Sequence, residues 1–385
     1  MNPLLGEPER MAARRVLERH WRVEGYTSPN AATYPWQWLW DSCFHALVWA
    51  ELGDERAVIE LERLFSNQSE DGFVPHMNYL PDPTASIEFW GRRGASTITQ
   101  PPMFGHAIAE LTRRGFPVPA STVDAAERGL RFLLGQRRRT SEGLIELVHP
   151  WESGCDDSAR WDAAIAPPWD RRRWRAHKAH LVTTVPATGG RGASANDEFA
   201  VGSIGFNALV AFNALELATV TDSPILVEGA QELNMVIEQR WNAGLRTWVD
   251  GGALAESSGR VRTLDAHFAL LVVADQGQRD AGFADLVDPE AFGARFGPAG
   301  IHRAEPTRDP DTYWRGPAWP QMSYLLWLAA SRAGERSVAA SIGRSLCDGA
   351  TVSGWAEYWN PDTATGRGAI PQSWATVALL VGEHD

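Results

Sequence analysis

Between His149 and Asp162 the chain reads HPWESGCDDSARWD, which sets Glu152, Asp156, Asp157 and Asp162 between Trp151 and Trp161. Carboxylates a few ångströms apart cannot all ionise freely, and an indole wall removes the water that would solvate their charge. At least one should therefore keep its proton near neutrality, which is what a general acid needs. The competing reading is that Glu152, Asp157 and Asp162 are caps or surface partners of Arg160. A second carboxylate in an aromatic setting lies far along the chain, in GWAEYWNPDTATGRGAIPQSWA. There Glu357 stands among Trp355, Tyr358 and Trp359, followed by a turn and then Gln372 and Trp374. Two carboxylates from distant segments are what glycoside hydrolysis requires.

Two further clusters could shape a sugar pocket. In YPWQWLWDSCF, Tyr34 to Phe44, Trp36, Trp38 and Trp40 alternate and Asp41 follows. On an extended segment alternate residues share a face. An indole face covers the apolar C–H side of a sugar ring while a carboxylate takes its hydroxyls, although a core strand with aromatic packing fits the same pattern. In DPDTYWRGPAWPQMSYLLWL, Tyr313, Trp314 and Arg315 precede Gly316–Pro317 and a helix that Trp319 opens. That spacing holds aromatic and guanidinium groups at a helix N-terminus, a frequent ligand-facing location, and purely structural turns use the same residues.

These clusters need a scaffold, and helical periodicity supplies it. The clearest helix runs from Ser223, which is placed to cap it, with Pro224 at its first position and Leu226, Ala230, Leu233, Ile237 and Trp241 on one side. Asp54 is placed to cap a second helix bearing Val58, Leu61 and Phe65. Others begin near Ser121, where Asp124 completes a capping-box spacing, and near Phe206, Pro317 and Glu335. Strand-like alternation is scarce, no linker or composition break is visible, and loops rich in Pro, Gly and Trp carry the clusters. One all-α domain over residues 1–385 is expected, built of paired helices in a toroid.

Composition narrows the function. Of 385 residues 44% are hydrophobic, ample for a large core. Trp 18 exceeds Phe 14 and is three times Tyr 6, and so many indoles are costly to bury unless each N–H finds a partner. Some should line a cavity. A formal charge of -12 argues against nucleic acid or an anionic membrane surface as partner, despite short basic runs at Arg137–Arg139 and Arg171–Arg175. Cys43, Cys155 and Cys347 form neither a disulfide framework nor a zinc motif. With no h-region near Met1 and no long apolar run, a cytoplasmic protein is expected, and homo-oligomerisation stays open.

The ordered set QWLWDSCFHALVW, PWESGCDDS, YWRGPAWP and EYWNPDTATGRG resembles glycoside hydrolase family 63, in particular its compact bacterial branch of mannosylglycerate and glucosylglycerate hydrolases. The likeness runs from about Tyr34 to Trp374. It implies an (α/α)6 barrel and inverting hydrolysis of an α-glycosidic bond without a cofactor. Position by position, it implies Asp156 as general acid, Glu357 as general base and Asp41 as the acid holding the glycone hydroxyls. Trp38, Trp40, Gln100 in TQPP, Trp314, Trp319 and Gln372 match residues that shape the sugar pocket. The chain departs from the pattern at Cys155, usually Met, at Asp157, usually Asn, and at Trp36, expected as Tyr or Phe. Inversion further implies carboxyls roughly 6.5–9.5 Å apart, leaving room for a water.

The stretch 170–203, basic and then rich in Gly, Ala and Ser, is expected to act as a lid over the sugar. The resemblance implies that it grips a glycerate carboxylate, a task for Arg173, Arg175 or Arg191. A solvated basic helix face with a disordered tip is the plainer reading. His177 and His180 lack a third ligand at a credible spacing, so no metal is expected. The -1 sugar is expected to be glucose rather than mannose, released from a small acceptor such as glycerate. An α-glucosidase acting on disaccharides or oligosaccharides, a carbohydrate-binding protein without catalysis and a sugar epimerase on the same barrel are the rival readings.

Overall fold

The computed structural model describes residues 2–185, 191–257 and 260–383. In chain order its helices are α1 (Glu7–His20), α2 (Leu39–Glu51), α3 (Arg56–Leu64), the single turn α4 (Ile87–Trp90), α5 (Phe104–Arg113), α6 (Ala120–Gln136) and α7 (Arg171–Thr183). Then follow α8 (Ile204–Thr221), α9 (Pro224–Gln239), the short α10 (Ala253–Ser257), α11 (Gln276–Val287), α12 (Pro320–Ala333) and α13 (Arg336–Val352). Two 3-10 helices, Leu264–Leu271 and Ser373–Leu380, complete the frame.

Six of these segments form a closed inner ring. α2 packs on α5, α5 on α8, α8 on Leu264–Leu271, that segment on α12, α12 on Ser373–Leu380, and the last returns to α2. Each inner segment carries an outer partner: α3, α6, α9, α11 and α13 each follow one, and α1 packs on Ser373–Leu380. This is the (α/α)6 barrel. Next to it Asn2–Pro3 pairs with Gly382–Glu383, so the sixth hairpin joins segments from opposite ends of the sequence.

The division into inner and outer follows from composition. α8 is buried on nearly every side, from Ile204 to Ala218, and only a helix enclosed by others can be apolar all round. By length and hydropathy it could cross a membrane, yet 78% of it is buried inside the ring. α9, on the outside, buries one stripe of Leu226, Ala230, Leu233 and Ile237, as its periodicity predicts, while Trp241 falls beyond the helix in a two-residue strand.

Helix starts differ from the expected ones in three places. The Ser223 hydroxyl donates to Glu127 (2.8 Å) instead of capping α9. α6 already begins at Ala120 behind Pro119, which puts Ser121 and Asp124 inside the helix with no capping box. α12 starts at Pro320, not Pro317, with Trp319 as its N-cap. Asp54 does accept the Arg56 backbone N–H (3.1 Å), and it also chelates the Arg56 guanidinium. The strands are all two residues long. Two antiparallel pairs, Gln37–Trp38 with Met77–Asn78 and Tyr358–Trp359 with Gly366–Arg367, lie in the loops that carry the clusters.

Candidate active site

At the end of the ring where the inner helices begin, residues from all four clusters line one cavity of about 480 Å³. The first cluster supplies Tyr34, Trp38, Trp40 and Asp41, the second Trp151, Asp156 and Asp157, the third Tyr313 and Trp314, and the fourth Glu357, Gln372 and Trp374. Gln100, just ahead of α5, joins them.

Glu357 is held by a hairpin. Its backbone N–H donates to Ala369 O (2.9 Å), and one carboxylate oxygen accepts the Ala369 N–H (2.9 Å). The Tyr34 hydroxyl, 3.3 and 3.4 Å from the two oxygens, donates to the same carboxylate. Gly368, at φ +69, lies against it so closely that a Cβ would overlap the carboxylate. Burial raises Glu357 to about 7, against the opposing pull of the Ala369 and Tyr34 donors.

Asp156 follows Gly154, whose φ of +75 and contact with Trp40 leave no room for a side chain: a Cβ would sit 2.5 Å from the indole. Its carbonyl oxygen accepts from the Trp174 indole N–H at 3.0 Å. Burial raises the Asp156 carboxyl to about 7; Lys178 lowers it, and the charges of Asp157 and Glu357 raise it further. Asp41, in the first turn of α2, is held well above the usual carboxylate range by burial, with Glu357 and Glu60 adding to the effect. A neutral Asp41 both donates and accepts hydrogen bonds.

The remaining carboxylates of the second cluster are held in ion pairs. Glu152 is buried, takes both guanidinium nitrogens of Arg137 (2.8 and 2.6 Å) and accepts the N–H groups of Thr99 (3.0 Å) and Val148 (2.8 Å). Asp162 receives Arg315 in a two-pronged pair at 2.8 and 2.7 Å. Asp157 pairs with Lys178 at 2.5 Å and lies 3.5 Å from Arg171. None takes Arg160, the expected partner, which instead meets Asp250 (3.2 Å) and Asp265 (2.6 Å).

The indoles also divide. Gln37–Trp38 is a two-residue strand and Leu39 already starts a helix, so the alternation of Trp36, Trp38 and Trp40 does not continue on one face. Trp38 and Trp40 reach the cavity; Trp36 lies one layer out, its ring 4.8 Å from Tyr79. Trp319 also falls outside the cavity lining: it is fully buried and stacked behind Trp314 at 3.6 Å and 8°. Four polar atoms on lining residues have no hydrogen-bond partner among the described residues: Trp38 Nε1, Trp314 Nε1, Gln100 Oε1 and Gln372 Oε1. Buried polar atoms are rarely left without a partner.

Of the expected lid, 186–190 lie outside the described residues. Its first part is α7, which presents Arg171, Arg175 and Lys178 to the cavity. Arg173 does not line the cavity and donates to the Pro168 carbonyl; Arg191 is exposed and also lies off the cavity. His177 packs on Trp174, and His180 pairs with Glu198 (2.7 Å). Two wall residues were not singled out: Lys178, which lies in the expected lid beside the arginines that drew attention, and Trp90, which reaches the cavity from α4, remote from the four clusters. Tyr34 stood at the edge of a recognised motif without an assigned task.

A family model of the mannosylglycerate hydrolase MGH1-like glycoside hydrolase domain matches residues 34–375. The chain belongs to this family. Mannosylglycerate hydrolase from Thermus thermophilus is 29% identical to it, over 96% of this chain and 99% of that protein. Glucosylglycerate hydrolase from Mycolicibacterium hassiacum is 27% identical, over 97% of each. A crystal structure of a GH63 mannosylglycerate hydrolase, also from Thermus thermophilus and in complex with Tris and D-glycerate, matches with a TM-score of 0.83 at 26% identity, covering 96% of this chain and 98% of that one. Neutral trehalase Nth1 from Saccharomyces cerevisiae, at 15% identity and a TM-score of 0.61, shares the fold. The MGH1-like chain is thus an inverting α-glycoside hydrolase of family 63, which disfavours the epimerase and binding-only readings.

Proposed function

We propose that this hydrolase cleaves a small α-glycoside whose acceptor carries a carboxylate, of the glucosylglycerate or mannosylglycerate kind, with Asp156 as general acid and Glu357 as general base. One observation carries the assignment. Two carboxyls raised to about 7 line the same cavity, but their surroundings differ in kind. Glu357 accepts an N–H and a phenol O–H, both of which favour its charged form. Asp156 is raised first by burial and then by the negative charges of Asp157 and Glu357, which favour its protonated form, while Lys178 opposes them. With both carboxyls raised to about 7, it is this difference in their surroundings that supports Asp156 as the acid and Glu357 as the base.

In the reaction, Asp156 gives its proton to the bridging oxygen as the bond to the anomeric carbon breaks. Glu357 takes a proton from a water attacking the opposite face, so the released sugar has inverted configuration. Neutral Asp41, with Gln100 and Gln372, holds the sugar hydroxyls, and Trp38, Trp40, Tyr313 and Trp314 pack against its apolar surfaces. Glucose is the preferred sugar. The whole of residues 1–385 acts as one catalytic domain, with α7 and the stretch after it as the lid.

The acceptor's charge is argued from α7. In a chain of net charge -12, three cations face one cavity, and Arg175 has no ion-pair partner among the described residues. A guanidinium in that position suits a carboxylate. The test compares α-glucosylglycerate with α-glucosylglycerol, its neutral counterpart, and with maltose and trehalose. The glycerate compound should have a kcat/KM at least about tenfold above the others, and Arg175→Met should remove most of that preference. Equal turnover of the charged and neutral acceptors would contradict the assignment and favour the disaccharide reading.

A further inference from the structure

We propose that Lys178, paired with Asp157, is a positioning residue that locks the loop carrying Asp156 against helix α7 and sets the alkaline limit of turnover. The inference rests on the reading of Asp156 as the general acid. Four hydrogen bonds join the two elements. His149 Nε2 donates to the Lys178 carbonyl (3.0 Å), the Trp174 indole N–H lies 3.0 Å from both Asp156 O and Asp157 Oδ1, and Lys178 Nζ donates to Asp157 Oδ1 (2.5 Å). His149 Nδ1 accepts from the Trp151 N–H (3.1 Å), which fixes the tautomer with the proton on Nε2.

Asp157 and Lys178 are both buried, so neither charge is satisfied by water, and each depends on the other. Arg171, 3.5 Å from the second Asp157 oxygen, is more than half exposed and screens weakly. The titratable groups that act on or respond to Asp156 are Asp157 and Cys155 beside it, Lys178 from α7, Glu357 from the hairpin, and Tyr34 and Tyr313 from the loops opposite. Among the charged ones, Lys178 alone lowers the proton affinity of Asp156, while Asp157 and Glu357 raise it. The two members of the pair therefore act on the acid with opposite sign, and breaking it from either side should move the acid in opposite directions.

That opposition separates positioning from mere support. Lys178→Met removes a positive neighbour, so Asp156 should keep its proton to higher pH, and the alkaline limb of kcat/KM should move up by roughly one pH unit. Asp157→Asn removes a negative neighbour while keeping an acceptor for the Trp174 N–H, so the limb should move down by a similar amount. kcat should fall about tenfold or more in Lys178→Met, the double variant should bring the limb back towards that of the parent, and Lys178→Arg should leave it in place. Should Lys178→Met fail to fold, Asp157→Asn and Lys178→Arg carry the comparison. Limbs that stay at the parental pH, or that move the same way in both variants, overturn the proposal even where Asp156→Asn is inactive. Should Asp156→Asn itself turn over normally, the acid assignment falls first.

Discussion

At the residue scale, two carboxyls that titrate in the same range must occupy opposite states at once. Asp156 is competent when protonated and is lost as pH rises through about 7; Glu357 is competent when ionised and is lost as pH falls through about 7. A narrow bell of kcat/KM centred near pH 7 follows, its acid limb set by protonation of Glu357 and its alkaline limb by deprotonation of Asp156. Asp156→Asn and Glu357→Gln should each lower kcat by about 10²–10⁴. Their stability should change in the other direction. A folded-state pKa raised above the ordinary 3.8 or 4.5 stabilises the fold below those values and is a growing cost up to about 7, so at pH 8 either amide should melt no lower than the parent. A melting temperature well below the parent would mean that the carboxylate is structural. Unusual composition marked the two clusters, while the choice of Asp156 and Glu357 within them came from the resemblance to family 63. The roles of Glu152, Asp157 and Asp162 were not legible, since the partners Arg137, Lys178 and Arg315 lie up to 153 positions away and spacing does not encode them.

At the scale of elements, the acid loop is a rigid insert and not a free loop. Arg137, just past the end of α6, and Glu152, in the 3-10 turn Pro150–Ser153, form a fully buried ion pair that also ties down Thr99, next to Gln100. Glu152→Gln leaves a buried guanidinium without its counter-charge, which costs about 3–5 kcal/mol. Thermal unfolding should show a clearly lowered midpoint while the anomer released stays the same; an unchanged midpoint would refute the anchoring role. Periodicity read the outer helices α3, α6, α9 and α13, α9 above all, because a half-buried helix displays its stripe. It gave no helix at α1, α5 or α11, took the start of α2 for an extended segment, and missed the inner segments Leu264–Leu271 and Ser373–Leu380, which are eight residues each and almost wholly buried, so that no polar face marks their turns. The three tryptophans of the first cluster show the converse failure: an alternation that looked like a strand spans a two-residue strand and a helix start.

For the whole molecule, ring closure is what turns four scattered motifs into one site. The inner segments are successive in sequence, yet the contact between Ser373–Leu380 and α2 joins opposite ends of the chain, and no local pattern announces it. The rhythm of paired helices suggested a toroid, and the resemblance to family 63 added the six-fold barrel and the convergence of the motifs at one end. Charge belongs to the same scale: in a molecule of net charge -12, Arg171, Arg175 and Lys178 of α7 all face the cavity, which is where the proposed carboxylate of the acceptor would be drawn. The most direct measurement of the central claim is a proton NMR time course of α-glucosylglycerate hydrolysis, read before mutarotation equilibrates the product. The account predicts β-glucose as the first anomer to appear, with the α-anomer growing in later. If α-glucose appears first, the pair acts with retention and the acid–base assignment of Asp156 and Glu357 is wrong.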